Sequence, residues 1–192
     1  MPVLEPNLLI SAYTNGIFPM GTGNGRLSWF SPNPRGILPV EDFRVPRSVR
    51  SELRRKGFEI RVNTGFCEVL RACGEREETW ITKEIIQSYE ALHKMGLAHS
   101  IETWQNNILV GGLYGVCLGG AFFGESMFSL TPGGSKAALV WLMEHLKAKG
   151  FLLHDTQWTT PHLAMFGGRE IPRDEYLRLL EEAIKSPVSF VG

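Results

Sequence analysis

The chain has 192 residues, 43% of them hydrophobic and 21% charged, and its 20 Lys and Arg are balanced by 20 Asp and Glu. That is one good-sized domain with room for a small appendage, and zero net charge leaves any nucleic-acid affinity to local clustering. No apolar run approaches the ~20 residues of a membrane span, and the N-terminus lacks the basic and apolar regions of a signal peptide.

Leu8, Leu9, Ala12 and Tyr13 recur at helical spacing within residues 5–15, and Gly16 stops them. Residues 19–39 are rich in Pro, Gly, Ser and Asn and read as loop, with a domain boundary near Pro34 to Gly36. This predicts a small N-terminal domain, 1–35, and a larger one, 36–192. Pro46 suits the first turn of a helix ending at Gly57. A short helix over 64–73 follows, then a longer one capped by Thr82 and stopped by Gly96. Strand patterns cover 98–104, 107–117 and 120–129, the first two joined by a Gln105-Asn106 turn. Ala138, Leu139, Leu142 and Leu146 share one face of an amphipathic helix over 135–149. A strand at 151–155 and a helix from Arg173 to Ile184 complete a mixed α/β (α+β) order.

Arg44, Arg47, Arg50 and Arg54 are spaced three or four apart and so share one helical face, opposite Val45, Val49 and Leu53. Such a face is either solvated charge or a surface that tracks phosphates. Asp155 and Gln157 lie two apart on a strand and therefore on one face. The carboxylate could orient the carboxamide by accepting its N–H; alternatively the pair is a polar strand end. His154 and His162 lack the companions of a metal site, so no metal is expected. Cys67, Cys73 and Cys117 are odd in number and without a C-x-x-C, which predicts reduced thiols in a cytoplasmic protein. Glu125 interrupts the apolar run Phe122, Phe123, Met127, Phe128. An unpaired carboxylate there would cost several kcal/mol. It must face outward on a bulged strand, pair with a residue such as Lys136, or await a cation brought by a substrate.

Several uncommon motifs stand together in this chain: LLISAYTNGIFP (8–19), SPNPRG (31–36), WIT (80–82), AHSIE (98–102), GGLYGV (111–116), GESMFS (124–129), SKAAL (135–139), DTQ (155–157) and EIPRDEY (170–176). In order and spacing they resemble the leucyl/phenylalanyl-tRNA–protein transferase family. The resemblance implies a small N-terminal domain before a GNAT-like acyltransferase domain, whose mixed, mainly antiparallel sheet is flanked by helices. It implies transfer of Leu or Phe, with Met a further candidate, from aminoacyl-tRNA to an N-terminal Arg or Lys of acceptor proteins. The modified protein then becomes an N-degron. Carried over by position, Asp155 and Gln157 match the catalytic pair and Glu125 a polar active-site residue. Leu113, Phe122, Met127 and Leu139 match the aminoacyl side-chain pocket. Trp80 matches an aromatic on the terminal adenosine, and Arg47, Arg50 and Arg54 become a tRNA-binding face. The chain departs from the family pattern at Met20, Phe30 and His154, which bears on the shape of the pocket.

Aminolysis of an aminoacyl ester runs downhill, so the implied reaction needs neither ATP nor metal, and no cofactor is expected. An α-amino group titrates at about 7.7–8.0, so part of it is already nucleophilic at neutral pH. Positioning can then supply much of the rate, roughly 7–11 kcal/mol at best. Two other readings remain open at this stage. TPGGSKAAL is a Gly-rich loop entering a helix, either an anion cradle for an acyl-CoA or a loop with a Ser helix cap. The basic helix alone would suit a non-catalytic tRNA-binding module.

Overall fold

The computed structural model describes residues 4–22, 26–75 and 81–191. In chain order the elements are α1 (Pro6–Thr14), β1 (Phe18–Gly21), β2 (Leu27–Phe30), β3 (Arg35–Ile37), α2 (Arg47–Lys56), β4 (Glu59–Val62), α3 (Phe66–Gly74) and α4 (Lys83–Lys94). They continue with β5 (Ala98–Gln105), β6 (Ile108–Leu118), β7 (Ala121–Ser129), α5 (Gly134–Lys149), β8 (Leu153–Gln157), α6 (Pro161–Ala164), β9 (Arg169–Ile171) and α7 (Arg173–Lys185).

Seven strands form one sheet in the order β4-β5-β6-β7-β8-β3-β9, and β1 and β2 pair as a separate hairpin. Every neighbouring pair in the large sheet is antiparallel except β7 and β8. That parallel step follows from the α5 crossover, since parallel neighbours need a long connection. One core gathers Leu9, Tyr13, Phe66, Val69, Ile85, Tyr89 and Leu180 from α1, α3, α4 and α7. A second gathers Val49, Leu139, Leu142, Leu146, Phe151 and Phe190 around α5.

The predicted helices and the three long strands form within a residue or two of the expected bounds. The 19–39 region does not remain loop. It supplies β2, β3 and most of β1, because short strands among turn residues are made by their partners rather than by their own propensity. The β5–β6 turn falls on Asn106 and Asn107, at φ 51° and 59°, one residue later than predicted. Asn tolerates this left-handed region better than Gln. The strand expected at 151–155 forms at Leu153–Gln157, and Phe151 instead plugs the second core.

Candidate active site

Two features of the sheet open the site. β7 and β8 share only three register pairs, Ala121 with Leu153, Phe122 with His154 and Phe123 with Asp155. Beyond them β7 runs on to Ser129, and a cavity of about 440 Å³ lies between the separating strands. The second feature is a bulge. Tyr114 pairs with Ser126 and Gly115 with Gly124, so Glu125 has no partner of its own. A bulge redirects the extra residue's side chain, and here it aims Glu125 into the cavity wall.

The cavity has an apolar side made by Leu113, Met127, Leu139 and Leu163. Its polar lining comes from Glu125, His154, Thr156, Gln157 and His162, with Phe18, Met20 and Trp158 also lining it. Of the four residues expected to hold a side chain, Leu113, Met127 and Leu139 do line it. Phe122 does not: it is fully buried outside the lining, stacked on Phe190 at 5.5 Å. Trp80 lies outside the described residues. Met20 and His154, two of the positions that depart from the family pattern, are both on the cavity surface, whereas Phe30 stands behind it against Phe18 and Trp158. Burial depresses the His154 imidazole to about 4, so it is neutral, with Nδ1 2.9 Å from the Met143 sulfur.

Glu125 is not paired with Lys136, which instead binds Glu52 at 3.1 Å. The Tyr13 hydroxyl donates to one carboxylate oxygen at 2.6 Å and the Tyr89 hydroxyl to the other at 3.0 Å. Burial raises the Glu125 carboxyl to about 7, against the downward pull of those two hydroxyls. The residue is half-buried and borders the cavity.

Asp155 is oriented differently from the sequence expectation. Its carboxylate takes a two-pronged bond from Arg35, Nε at 2.9 Å and Nη2 at 2.6 Å. It also accepts the Tyr176 hydroxyl at 2.7 Å and the backbone N–H of Gln157 at 2.9 Å. Asp155 therefore holds the Gln157 main chain, not its side-chain amide. Gln157 sits at φ 59°, and Trp158 N–H closes onto the Thr156 carbonyl at 2.7 Å around it. A non-Gly residue held in that tight turn is backbone strain placed at a cavity. The Gln157 Nε2 and the hydroxyl of Thr156 are buried without a hydrogen-bond partner, so both are free to meet a ligand. Arg35, Tyr13, Tyr89 and Tyr176 were not foreseen. The tyrosines sit at apolar helix positions and read as core, and Arg35 lay hidden in the turn-rich segment.

Arg47, Arg50 and Arg54 on α2 are exposed, as is Arg44, which lies before the helix rather than on its face, and no ion pair among the described residues involves them. Arg47 opens the helix and no acid occupies its first turn. Cations there oppose the helix dipole, a cost that helix stability alone does not explain. The loop entering α5 is no open anion cradle. Gly134 N–H bonds the Thr131 carbonyl, Ser135 N–H bonds the Ser129 hydroxyl at 3.2 Å, and the cap residue is Gly133 rather than Ser.

Residues 37–181 match the family model described as leucyl/phenylalanyl-tRNA protein transferase, and residues 3–33 match the model of its N-terminal domain. The chain belongs to the leucyl/phenylalanyl-tRNA protein transferase family. It is an aminoacyltransferase. A leucyl/phenylalanyl-tRNA–protein transferase of Ruegeria sp. (strain TM1040) is 50% identical over 191 residues, covering 98% of this chain and 91% of that protein. Another, of Herpetosiphon aurantiacus, is 52% identical over 188 residues, covering 97% and 98%. Among solved structures, a C-terminal DUF2156 domain from Agrobacterium fabrum aligns with 96% of this chain and 71% of its own at 13% identity, with a TM-score of 0.52. That likeness concerns the fold, and it agrees with the acyltransferase-like sheet expected. The chain spans 51% of the length of L-PGS from Bacillus licheniformis, at 16% identity and a TM-score of 0.44. Neither an acyl-CoA acetyltransferase nor a non-catalytic binding module is favoured by these relatives.

Proposed function

We propose that this chain transfers Leu or Phe, and Met as a third candidate, from aminoacyl-tRNA to the N-terminal Arg or Lys of acceptor proteins, creating an N-degron. The observation that carries the proposal is the cavity itself. It brings the apolar side chains of Leu113, Met127 and Leu139 into one lining with Glu125 and the unpartnered amide of Gln157. An apolar donor side chain and a cationic acceptor thus find their chemical complements within one space. The acceptor's α-amine attacks the ester carbonyl, the C–N bond forms, the C–O bond to the terminal ribose breaks, and a proton passes from nitrogen to that oxygen. Gln157, seated by Asp155 through the backbone, orients the amine; an amide is too weak a base to remove its proton. Trp80 keeps its assignment to the terminal adenosine. The supply of aminoacyl-tRNA and the three free cysteines suit the cytoplasm.

Incubation with labelled Leu-tRNA and a peptide beginning with Arg tests this directly. Label should enter the peptide, and none entering would overturn the reading. Glu125→Gln should raise the Michaelis constant for Arg peptides by about tenfold or more, since charge-assisted hydrogen bonds contribute roughly 1.5–3 kcal/mol. Leu-tRNA binding should hardly change, and the preference for Arg-starting over Ala-starting peptides should narrow. A variant that keeps the full preference would remove Glu125 from acceptor recognition.

We assign the exposed arginines of α2 to tRNA phosphates, read without regard to sequence. Each lost phosphate contact should lower the slope of log affinity against log salt by about 0.7–0.9. The Arg47→Ala, Arg50→Ala, Arg54→Ala triple variant should weaken all tRNAs alike, and an unchanged slope would reject the assignment.

A further inference from the structure

The surroundings of Glu125 hold an arrangement that acceptor recognition by a simple carboxylate does not require. Tyr13 comes from α1 and Tyr89 from α4, and their hydroxyls touch each other as well as the two carboxylate oxygens. Three oxygen–oxygen contacts closed into a ring need three protons. An ionised Glu125 leaves only the two phenolic protons, so one contact would set lone pair against lone pair. Neither phenol can be the anion, because burial and then Glu125 hold both well above the usual tyrosine range. The carboxylic acid supplies the missing proton and completes the ring: one tyrosine then donates to the other and accepts from the acid, and both donate to the carboxyl only when it is ionised.

We propose that burial keeps Glu125 a neutral acid in the unliganded enzyme, that Tyr13 and Tyr89 are positioning residues that fix its carboxyl and ease its ionisation, and that a cationic acceptor binds in exchange for its proton. The inference rests on the acceptor reading above. The other groups around the carboxyl allow it. Arg35 on β3 and Asp155 on β8 pull in opposite directions, and they neutralise each other as a buried pair. Tyr176 on α7 donates to Asp155, Tyr114 on β6 packs its ring 5.6 Å from that of Tyr89, and His154 beside Asp155 is neutral. Burial against the two tyrosine donors is therefore what poises Glu125, and it does so at about 7. The acid form costs little when the cavity is empty. The carboxylate costs little when a guanidinium or ammonium arrives.

The sign of the pH effect follows. The folded carboxyl titrates above its ordinary range, so acceptor binding must displace a proton below about 7 and need not above it. From about one pH unit below that midpoint to about one above, the apparent Michaelis constant for an Arg peptide should fall about tenfold. Glu125→Gln should abolish that dependence and leave the titration of the acceptor's own α-amine. Calorimetry of Arg-peptide binding without aminoacyl-tRNA, in buffers of different ionisation heat, should show about half a proton released at neutral pH in excess of the Gln variant. Tyr89→Phe and Tyr13→Phe each remove a donor to the anion, so each should move the midpoint upward. A merely structural tyrosine would change affinity without moving it. Infrared spectra supply a check that needs no tyrosine variant. A protonated-carboxyl band should be present in the wild type about one unit below the midpoint and absent from Glu125→Gln. If that band is missing, or if the peptide binds with no excess proton release, the inference is overturned. If Glu125→Gln binds Arg peptides as tightly as the wild type, the acceptor reading itself has failed.

Discussion

Asp155→Ala is expected to destabilise the fold by about 3–5 kcal/mol, because it strands a buried guanidinium. Arg35 is 1% exposed and Asp155 not at all. Four donors converge on the carboxylate: two from Arg35, one from Tyr176 and the Gln157 N–H. Arg35 in turn reaches back to the Gly16 carbonyl at 3.0 Å, so the pair ties the end of α1 to the end of β8. Arg35→Ala should cost a similar amount by stranding the carboxylate. The double variant should cost clearly less than the sum of the two, because the remaining partner of each single variant is what suffers. Denaturant unfolding of the four proteins measures this. Additive effects, or an Asp155→Ala protein as stable as the wild type, would refute it. Transfer is measured in Asp155→Asn, which keeps the volume and part of the hydrogen bonding that Asp155→Ala loses.

Which parts of this site could be read beforehand depends on how far apart its pieces lie in the chain. Asp155 and Gln157 are two residues apart on a strand pattern, so local reasoning reached the pair, whereas Leu113, Met127 and Leu139 were pointed to by the family resemblance. Glu125 was visible as an anomaly in an apolar run. Its bulge was not, because a bulge is a property of the register between β6 and β7. The Arg35–Asp155 bond joins residues 120 apart, and Tyr13 reaches Glu125 across 112. No periodicity carries such contacts. The same holds for β3, three buried residues whose strand character comes wholly from β8 and β9 on either side. Phe122 shows the converse. Its position in the family pattern suggested a pocket residue; it shares the α5-facing side of the sheet with Leu113 and Met127, but it lies further along β7, packed on Phe190 and outside the cavity lining.

The strand that was hardest to see also sets the position of Gln157. Gly36 on β3 lies opposite Gln157, and a Cβ there would fall 2.4 Å from the carbonyl carbon of Trp158 and 2.7 Å from the nitrogen of Thr159. These are backbone atoms, which cannot rotate aside as a side-chain tip can. Gly36→Ala should therefore push the turn that carries Gln157 towards the cavity, at about 1–3 kcal/mol in stability. The larger effect should be on transfer. Displacement of a positioned group by about 1 Å can cost about 100-fold in rate, and Gln157 acts by position alone. Gly96→Ala provides the contrast. Gly96 has φ 74° and nothing within 4 Å of its would-be Cβ, so that change should cost about 1–2 kcal/mol of conformational strain and leave transfer intact. Rates measured well below both unfolding midpoints separate the two. If Gly36→Ala transfers Leu as fast as Gly96→Ala, then β3 does not seat Gln157, and an amide oriented through its own backbone cannot be the source of the rate.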